Sequence, residues 1–239
     1  MRLFQIPFSH NCIKVRHVLD LKGLSYETVD INPALRGEVK RISGQTLVPV
    51  LVDRGHVVSG STEIALYIDE RHPDPPLLPD DPQDRAECLI LSDWADEKFM
   101  ALTRRLAYFQ VLSAPAQLGQ LFFPTAPPAV QRAAGAGSAQ VLRLRFGISA
   151  ERNRRDEREA GRAARLALDR LAGEEHLVGG RLSLADITLA TMAAPLQYAG
   201  REVRDDPAVR ALLEWGARTL GADFSPLPAP EPEPEPAAT

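Results

Sequence analysis

The sequence predicts a small α/β domain with the element order βαβαββα, followed by an all-α domain. Through residue 72, apolar stretches of strand length alternate with stretches of helical periodicity, whereas helical patterns alone follow residue 83. Between them, five prolines lie within residues 73–82, a density that excludes a helix or a paired strand. We therefore interpret residues 73–82 as a linker at a domain boundary.

The first domain, residues 1–72, is predicted to contain four strands and three helices. The strands cover residues 2–6, 25–31, 47–52 and 56–59, and the helices cover residues 11–22, 33–42 and 61–71. The turn at Arg54-Gly55 makes the last two strands a hairpin. The first strand, first helix and second strand are expected to form a crossover unit, in which the two strands are parallel.

The second domain, residues 83–224, is predicted to be a helical bundle. The segments are a long helix at 83–112, a break and the start of a further helix at 115–138, two helices within 139–171, an apolar helix from Ser183 to Met192, and a helix at 207–220. Residues 225–239 contain six prolines and three glutamates in alternation. Such a segment buries almost no apolar surface, so we expect an extended, solvated tail.

Composition excludes several classes of function. The net charge of −4 gives no basic surface for nucleic acid, and no apolar run approaches the ~20 residues of a membrane span. No secretory signal is visible, and the only cysteines, Cys12 and Cys88, form neither a disulfide framework nor a metal-ligand cluster. So few cysteines are typical of a reducing compartment, and we therefore expect a cytoplasmic protein. The five histidines also lack metal-ligand spacing, so we expect no bound metal.

Three short pieces of the first domain predict one shared ligand site. Ser9-His10-Asn11-Cys12 opens the first helix, Leu47-Val48-Pro49-Val50 places a proline before an apolar strand, and Ser61-Thr62 opens another helix. Helix N-termini carry unpaired N–H groups, which favour an anionic ligand such as a carboxylate or a thiolate. A Ser-Thr pair alone is more often a helix cap.

Cys12 and Ser9 each allow two interpretations. In the first turn of a helix, the thiol of Cys12 is close to the positive end of the helix dipole, which favours the thiolate. Alternatively, Cys12 is a small buried hydrophobic residue that faces the sheet. Ser9 either donates a hydrogen bond into the ligand site or serves as a plain helix cap. The sequence does not decide whether the Val48–Pro49 bond is cis.

These residues carry a resemblance to a known family. Ser9-His10-Asn11-Cys12-Ile13-Lys14-Val15-Arg16 resembles the N-terminal region of the cytosolic glutathione transferases, and residues 44–51 resemble the segment that holds their cis-proline. Residues 61–68 look like the helix that binds the γ-glutamyl end of glutathione. In the second domain, residues 183–188 are similar to the family's helix-capping box, with Ser183 at the cap and Asp186 three residues later.

The resemblance covers about residues 1–224 and implies a thioredoxin-like N-terminal domain, an all-α C-terminal domain and a homodimer. It implies that Leu47, Val48 and a cis Pro49 bind the cysteinyl part of glutathione. Ser61 and the Thr62 N–H are then expected to bind the γ-glutamyl carboxylate. Ser9 occupies the position of the family's activating hydroxyl.

Two mechanisms are open for such a site. In the first, Ser9 stabilises the glutathione thiolate, which attacks a hydrophobic electrophile. In the second, Cys12 forms a mixed disulfide with glutathione, so the protein is a disulfide reductase or peroxidase. We favour Ser9, because the helical apolar pattern places Cys12 towards the core. A non-catalytic binding protein with the same fold is the third hypothesis.

One position departs from the family pattern and bears on affinity. Related sequences have an acidic residue just before the Ser-Thr pair, whereas this chain has Gly60. A lost charge-assisted contact weakens binding roughly ten- to hundred-fold, unless another acid such as Asp93 or Glu97 replaces it.

The electrophile is expected to bind between the domains, against the long helix and residues 115–124. The predicted wall residues are aromatic or apolar and include the two neighbours of Ser9: Phe8, His10, Tyr108, Phe109, Leu118, Phe122 and Phe123.

Overall fold

The computed structural model describes residues 1–123 and 125–221. The predicted tail, residues 225–239, and the last three residues of the predicted helical domain lie outside the described residues. Within the described ranges, no helix is both long enough and apolar enough to cross a membrane. The same ranges contain no group of three or more His, Cys, Asp or Glu side chains arranged to hold a metal ion.

The N-terminal part is a four-stranded sheet with three helices, as the element order predicted. Its elements are β1 (Arg2–Gln5), α1 (His10–Leu21), β2 (Glu27–Asp30), α2 (Gly37–Ser43), β3 (Val50–Asp53), β4 (His56–Ser59) and α3 (Ser61–Arg71). The strand order is β2-β1-β3-β4, with β1 and β2 parallel and the other two pairs antiparallel. The predicted parallel crossover and the β3–β4 hairpin are therefore both present.

Alternating side chains let the sheet bury both of its faces. Leu3 and Leu51 belong to a core with residues of α1 and α3, whereas Phe4 and Val50 belong to a second core with Val39 of α2. Because successive side chains of a strand point to opposite faces, one short strand serves both cores. The α1–α3 side also meets the helical part of the chain, since α1 packs against α9 (Leu184–Ala193).

The rest of the described chain is helical. Its elements are α4 (Pro82–Trp94), a π-helical turn (Ala95–Phe99), α5 (Met100–Val111), α6 (Pro115–Phe122), α7 (Pro128–Phe146), α8 (Ala150–Leu171), α9, a 3₁₀ turn (Ala194–Tyr198), α10 (Arg201–Arg204) and α11 (Pro207–Leu220). Every residue of α9 is buried, as expected for its continuous apolar sequence. At its start, Asp186 accepts hydrogen bonds from the Ser183 N–H (2.8 Å) and the Leu177 N–H (2.7 Å).

Two helical segments differ from their predicted form. Residues 83–112 are not one uninterrupted α-helix, because a π-helical turn at Ala95–Phe99 separates α4 from α5. A π turn contains one extra residue per turn, so it changes the direction in which Asp96 projects. Further along, residues 115–138 contain a separate helix, α6, in addition to the predicted start of a further helix, which is α7 from Pro128. Proline is favoured in the first turn of a helix, where its missing N–H costs nothing.

Candidate functional site

A cavity of about 680 Å³ lies between the sheet domain and the helices. This volume is within the range of small-molecule sites. The sheet domain contributes the start of α1 and the segment before β3, including Ser9 and Val48. The helical part contributes residues of α5, α6 and α7 and of the 3₁₀ turn, including Tyr108 and Phe122. The cavity therefore brings together groups from most of the length of the chain, from Ile6 to Tyr198.

Ser9 lies on this cavity at the start of α1. It is half-buried, its backbone has extended geometry, and its side chain caps no N–H of α1. Its carbonyl instead accepts from the N–H groups of Cys12 (2.8 Å) and Ile13 (2.9 Å). The Ser9 side chain interacts with the Cys12 thiol, and Ser9 is part of the cavity lining.

Cys12 points away from the cavity and into the protein. Its exposed fraction is 0%, and it is absent from the cavity lining among the described residues. Burial raises the pKa of the Cys12 thiol, and the smaller lowering effects of the Ile6 backbone, the Ser9 side chain and two arginines do not reverse this. Of the two interpretations of Cys12, this burial supports the small buried hydrophobic residue, because desolvation of the charged form dominates.

The segment before β3 presents backbone groups at the cavity edge. The Val48–Pro49 peptide bond is cis, and Leu47 and Val48 both line the cavity. The Gln45 side chain hydrogen-bonds the N–H and C=O of Leu47. By contrast, no group in the described part of the chain hydrogen-bonds the N–H or C=O of Val48. A peptide-like ligand can pair with these two groups.

The start of α3 lies next to this segment, because the Gly60 N–H donates to the Pro49 carbonyl (3.3 Å). Ser61 is 9% exposed, and the first N–H groups of α3 have no acceptor within the helix. The Thr62 hydroxyl accepts from Lys14 Nζ (2.8 Å) and donates to Asp96 Oδ2 (2.5 Å). Neither Ser61 nor Thr62 lines the 680 Å³ cavity. The start of α3 therefore lies outside the cavity, beside the Val48–Pro49 segment at its edge.

Lys14 and Asp96 are site residues that the sequence analysis missed. Lys14 Nζ lies 2.7 Å from Asp96 Oδ2, and the lysine side chain is completely buried. Burial lowers the pKa of Lys14, while Asp96 opposes this effect. The nearby acids Asp93 and Glu97, considered from the sequence as substitutes for the missing acid, are both exposed. The π turn, which the sequence analysis did not anticipate, explains why Asp96 rather than these neighbours reaches α3.

Gly60 is required by the local backbone. Its φ of +100° lies in the region that side chains disfavour, and a Cβ there would be 2.0 Å from Glu63 Oε2. The carboxylate of Glu63 therefore occupies the space that a side chain at position 60 would enter. An acid is thus present beside the start of α3 despite Gly60.

The cavity walls match most of the predicted residues. Phe8, His10, Tyr108, Leu118, Phe122 and Phe123 line the cavity. Phe109 does not: it packs beside Tyr108 against the small core around Leu112, so its prediction as a wall residue is wrong. The sequence analysis missed α7 and the 3₁₀ turn as wall elements, because it gave no indication of which face of α7 turns inward.

Burial and charge set the protonation of two wall residues. Desolvation and the nearby Arg104 lower the pKa of His10 to about 4, so its imidazole is neutral at pH 7. Burial raises the pKa of Tyr108, against the opposing effect of Arg104, Arg36 and Arg145. Tyr108 therefore keeps its phenolic proton at neutral pH.

Comparison with protein families identifies the sheet domain. The model of the glutathione S-transferase N-terminal domain matches residues 3–76. Glutathione S-transferase Z2 of Arabidopsis thaliana is 38% identical over 116 residues, which are 44% of this chain and 52% of that protein. A stringent starvation protein A homolog of Pasteurella multocida is 37% identical over 100 residues, 39% of this chain and 47% of that protein. The chain spans about half the length of the curated relatives that it matches.

Solved structures extend the likeness to the helical part. A glutathione S-transferase from Rhodospirillum rubrum is 25% identical with a TM-score of 0.66, covering 96% of each chain. A sphingomonad glutathione S-transferase complexed with glutathione is 21% identical with a TM-score of 0.65, covering 92% of this chain and 96% of that one. The second likeness shows the fold alone. The match over residues 3–76 identifies a glutathione S-transferase N-terminal domain, and the helical part that follows it is similar to that of the Rhodospirillum rubrum glutathione S-transferase.

Proposed function

We propose that this protein is a glutathione transferase in which Ser9 stabilises the glutathione thiolate for attack on a hydrophobic electrophile. The observation that carries the proposal is the contrast at the start of α1: Ser9 lines the cavity with a hydroxyl that caps no N–H of the helix, whereas Cys12 is 0% exposed. A hydrogen bond from a hydroxyl to a thiolate lowers the pKa of the thiol, so it raises the thiolate fraction near pH 7. The thiolate sulfur then forms a bond to the electrophilic carbon, and the leaving group departs with its electron pair.

The position of glutathione follows from the backbone groups beside Ser9. We place its cysteinyl backbone against the N–H and C=O of Val48. Its γ-glutamyl carboxylate then lies at the start of α3, where Ser61 and the Thr62 N–H belong to the first helical turn. The Pro49–Gly60 hydrogen bond supports this placement, because it brings the two segments side by side.

The apolar walls support a hydrophobic second substrate. Phe8, Tyr108 and Phe122 line the cavity, and the neutral His10 adds no charge to it. Aromatic walls of this kind bury the body of an apolar electrophile and exclude water from the reacting thiolate. Removal of reactive electrophiles by conjugation, a detoxifying reaction, is the role that this chemistry suits.

The two competing functions have weaker support. A disulfide reductase or peroxidase needs an accessible thiolate at Cys12, and burial opposes both requirements. A non-catalytic binding protein was suggested by Gly60, but the carboxylate of Glu63 lies beside that position. The glutathione site is therefore not deprived of an acid.

We further propose a cytoplasmic homodimer. The two cysteines are free and buried, as in proteins of reducing compartments. On the edge strand β4, Val57 is 40% exposed, and on α4 Ile90 is 67% exposed, so each offers apolar surface to a second copy. Light scattering of the purified protein measures the oligomeric state, and a monomer at micromolar concentration would refute the dimer.

The catalytic proposal is tested by the pH dependence of kcat/KM for conjugation of glutathione to a neutral benzylic chloride. Ser9→Ala should shift the rising limb to higher pH by about one to two units, because a hydrogen bond to a charged group contributes about 1.5–3 kcal/mol. Cys12→Ala should retain the wild-type profile. Ser113→Ala, at an exposed serine of the loop after α5, is the matched control. An unshifted profile in Ser9→Ala, or loss of activity in Cys12→Ala, would contradict the proposal.

A further inference from the structure

The charged residues on the cavity are of one sign. Arg36, Arg104 and Arg145 line it, and no described lining residue is an aspartate or a glutamate. This is unexpected in a chain with a net charge of −4 and 32 acidic residues. A purely hydrophobic substrate would not interact favourably with three guanidinium groups around an otherwise mostly aromatic and apolar cavity.

Two of the arginines lie over the same aromatic ring. The Cζ of Arg104 lies 4.3 Å from the centroid of the Phe146 ring, and the Cζ of Arg145 lies 5.6 Å from the same centroid. The ring of Tyr108 meets Phe146 edge-on, with 5.5 Å between the centroids. The two guanidinium groups therefore lie within about 10 Å of each other, close enough to act on one bound molecule.

These arginines have no acidic partner in the described part of the chain. None of the three forms an ion pair there, and the buried Nε of Arg104 has no hydrogen-bond partner. The next residue on the same helix behaves differently, since Arg105 makes a bidentate pair with Asp156 at 2.6 and 2.9 Å. For the partly buried Arg104, a charge without a counter-charge is costly, so its presence on a cavity points to a ligand that supplies the opposite charge.

Arg36 is the third arginine on the cavity. Its Nε and Nη1 donate to the carbonyls of Pro33 and Thr46, both at 3.0 Å, which fixes its guanidinium. Arg145 is near enough to contribute to lowering the pKa of Arg36, after the larger effect of burial. Mutual repulsion among the cations is relieved when an anion binds between them.

We propose that the second substrate is an aromatic or other apolar molecule carrying a carboxylate, which Arg104 and Arg145 bind while the aromatic walls hold the apolar body. The inference rests on the proposed transferase function and narrows its substrate class. Guanidinium groups suit this ligand, because they bind carboxylates through two parallel hydrogen bonds. Arg36 adds positive potential at the sheet side of the cavity, which attracts the anion.

A pair of substrates that differ in charge alone tests the substrate class. In both para-(chloromethyl)benzoate and para-(chloromethyl)benzamide, the thiolate sulfur bonds to the benzylic carbon and chloride leaves with the electron pair of the C–Cl bond. Wild-type protein should show a kcat/KM for the benzoate that is about ten- to hundred-fold higher, after correction for the uncatalysed rates. Arg145→Gln, at an exposed position, and Arg104→Gln should each remove most of this preference, because each lowers kcat/KM for the benzoate far more than for the benzamide.

Arg132→Gln is the matched control, since Arg132 is exposed on the same helix as Arg145 and does not line the cavity. It should keep the wild-type preference. Equal kcat/KM values for the two substrates in wild-type protein would overturn the proposal, and so would variants that slow both substrates equally.

A binding measurement separates this inference from the transferase function itself. Calorimetric titration with the unreactive para-methylbenzoate and para-methylbenzamide needs neither glutathione nor turnover. Tighter binding of the benzoate that is lost in Arg145→Gln would support the anion site even in a protein without conjugating activity. Equal affinity for the two compounds would refute the anion site, even in an active transferase.

Discussion

The buried pair Lys14–Asp96 is predicted to hold the start of α3 against the helical domain, and replacing one member should destabilise the protein strongly. Nζ of Lys14 has two side-chain partners, Thr62 Oγ1 at 2.8 Å and Asp96 Oδ2 at 2.7 Å. The lysine side chain is 0% exposed and that of Asp96 is 20% exposed. Asp96→Asn therefore leaves a buried ammonium group without the carboxylate that pairs with it, and only the weaker effects of Glu63 and Asp93 remain.

The size of the effect follows from this burial. Removing one member of a buried ion pair costs about 3–5 kcal/mol. For a chain of this length, that corresponds to a fall in Tm of roughly 6–20 °C. Lys14→Met should cost less, because water reaches the exposed part of the Asp96 carboxylate. Lys14→Met combined with Asp96→Leu should recover most of the loss, since no charge is then left buried.

The assay is a double-mutant cycle on the thermal unfolding midpoint, with Lys14→Met and Asp96→Leu as its two single variants. Glu151→Gln is the matched control, because it breaks an exposed pair with Arg155 whose side chains are 80% and 65% exposed; it should cost less than about 0.5 kcal/mol. The reasoning is refuted if the double variant is as unstable as the sum of the two single variants, because additivity means that the charges do not interact.

Three further predictions concern stability. Gly60→Ala should lower stability by about 1–3 kcal/mol in urea unfolding, because its φ is +100°, whereas Gly37→Ala, with open space around its Cβ, should not destabilise the protein. As the pH decreases from 6.5 to about 4, His10 binds a proton in the unfolded chain but not in the folded protein, so the free energy of unfolding decreases. His10→Gln should make this pH dependence flatter, and an unchanged slope would contradict the prediction. Asp186→Ala should cost about 2–4 kcal/mol, since it removes the acceptor of two buried N–H groups; a midpoint within a degree of wild type would be incompatible with this role.

The fold was predictable from the sequence because its local signals agree with its packing. Alternating apolar residues in β1 and β3 supply the two cores of the sheet, and the tight turn at Arg54-Gly55 joins β3 to β4. The continuous apolar sequence of α9 likewise corresponds to a helix that is buried on every side. Local patterns are reliable where burial and secondary structure favour the same arrangement.

The site was predictable in part, since its position depends on contacts between distant segments. Ser9, Val48 and Ser61 were predicted from helix starts and the proline at residue 49, which are local signals. Lys14 and Asp96 were not, because no local signal predicts a π turn at residue 95 or pairs two residues 82 positions apart. The effect of burial on Cys12 was underestimated for the same reason: desolvation depends on the complete core around the thiol.

The most direct test of the account is calorimetric titration of the purified protein with reduced glutathione near pH 7. A glutathione site built from Ser9, Val48 and Ser61 predicts a dissociation constant in the millimolar range or tighter, together with a higher Tm at saturating glutathione. Ser61→Ala should weaken the binding about tenfold, because it removes a polar partner of the γ-glutamyl carboxylate. No detectable heat at several temperatures, with no thermal stabilisation by glutathione, would contradict the central claim that this protein uses glutathione.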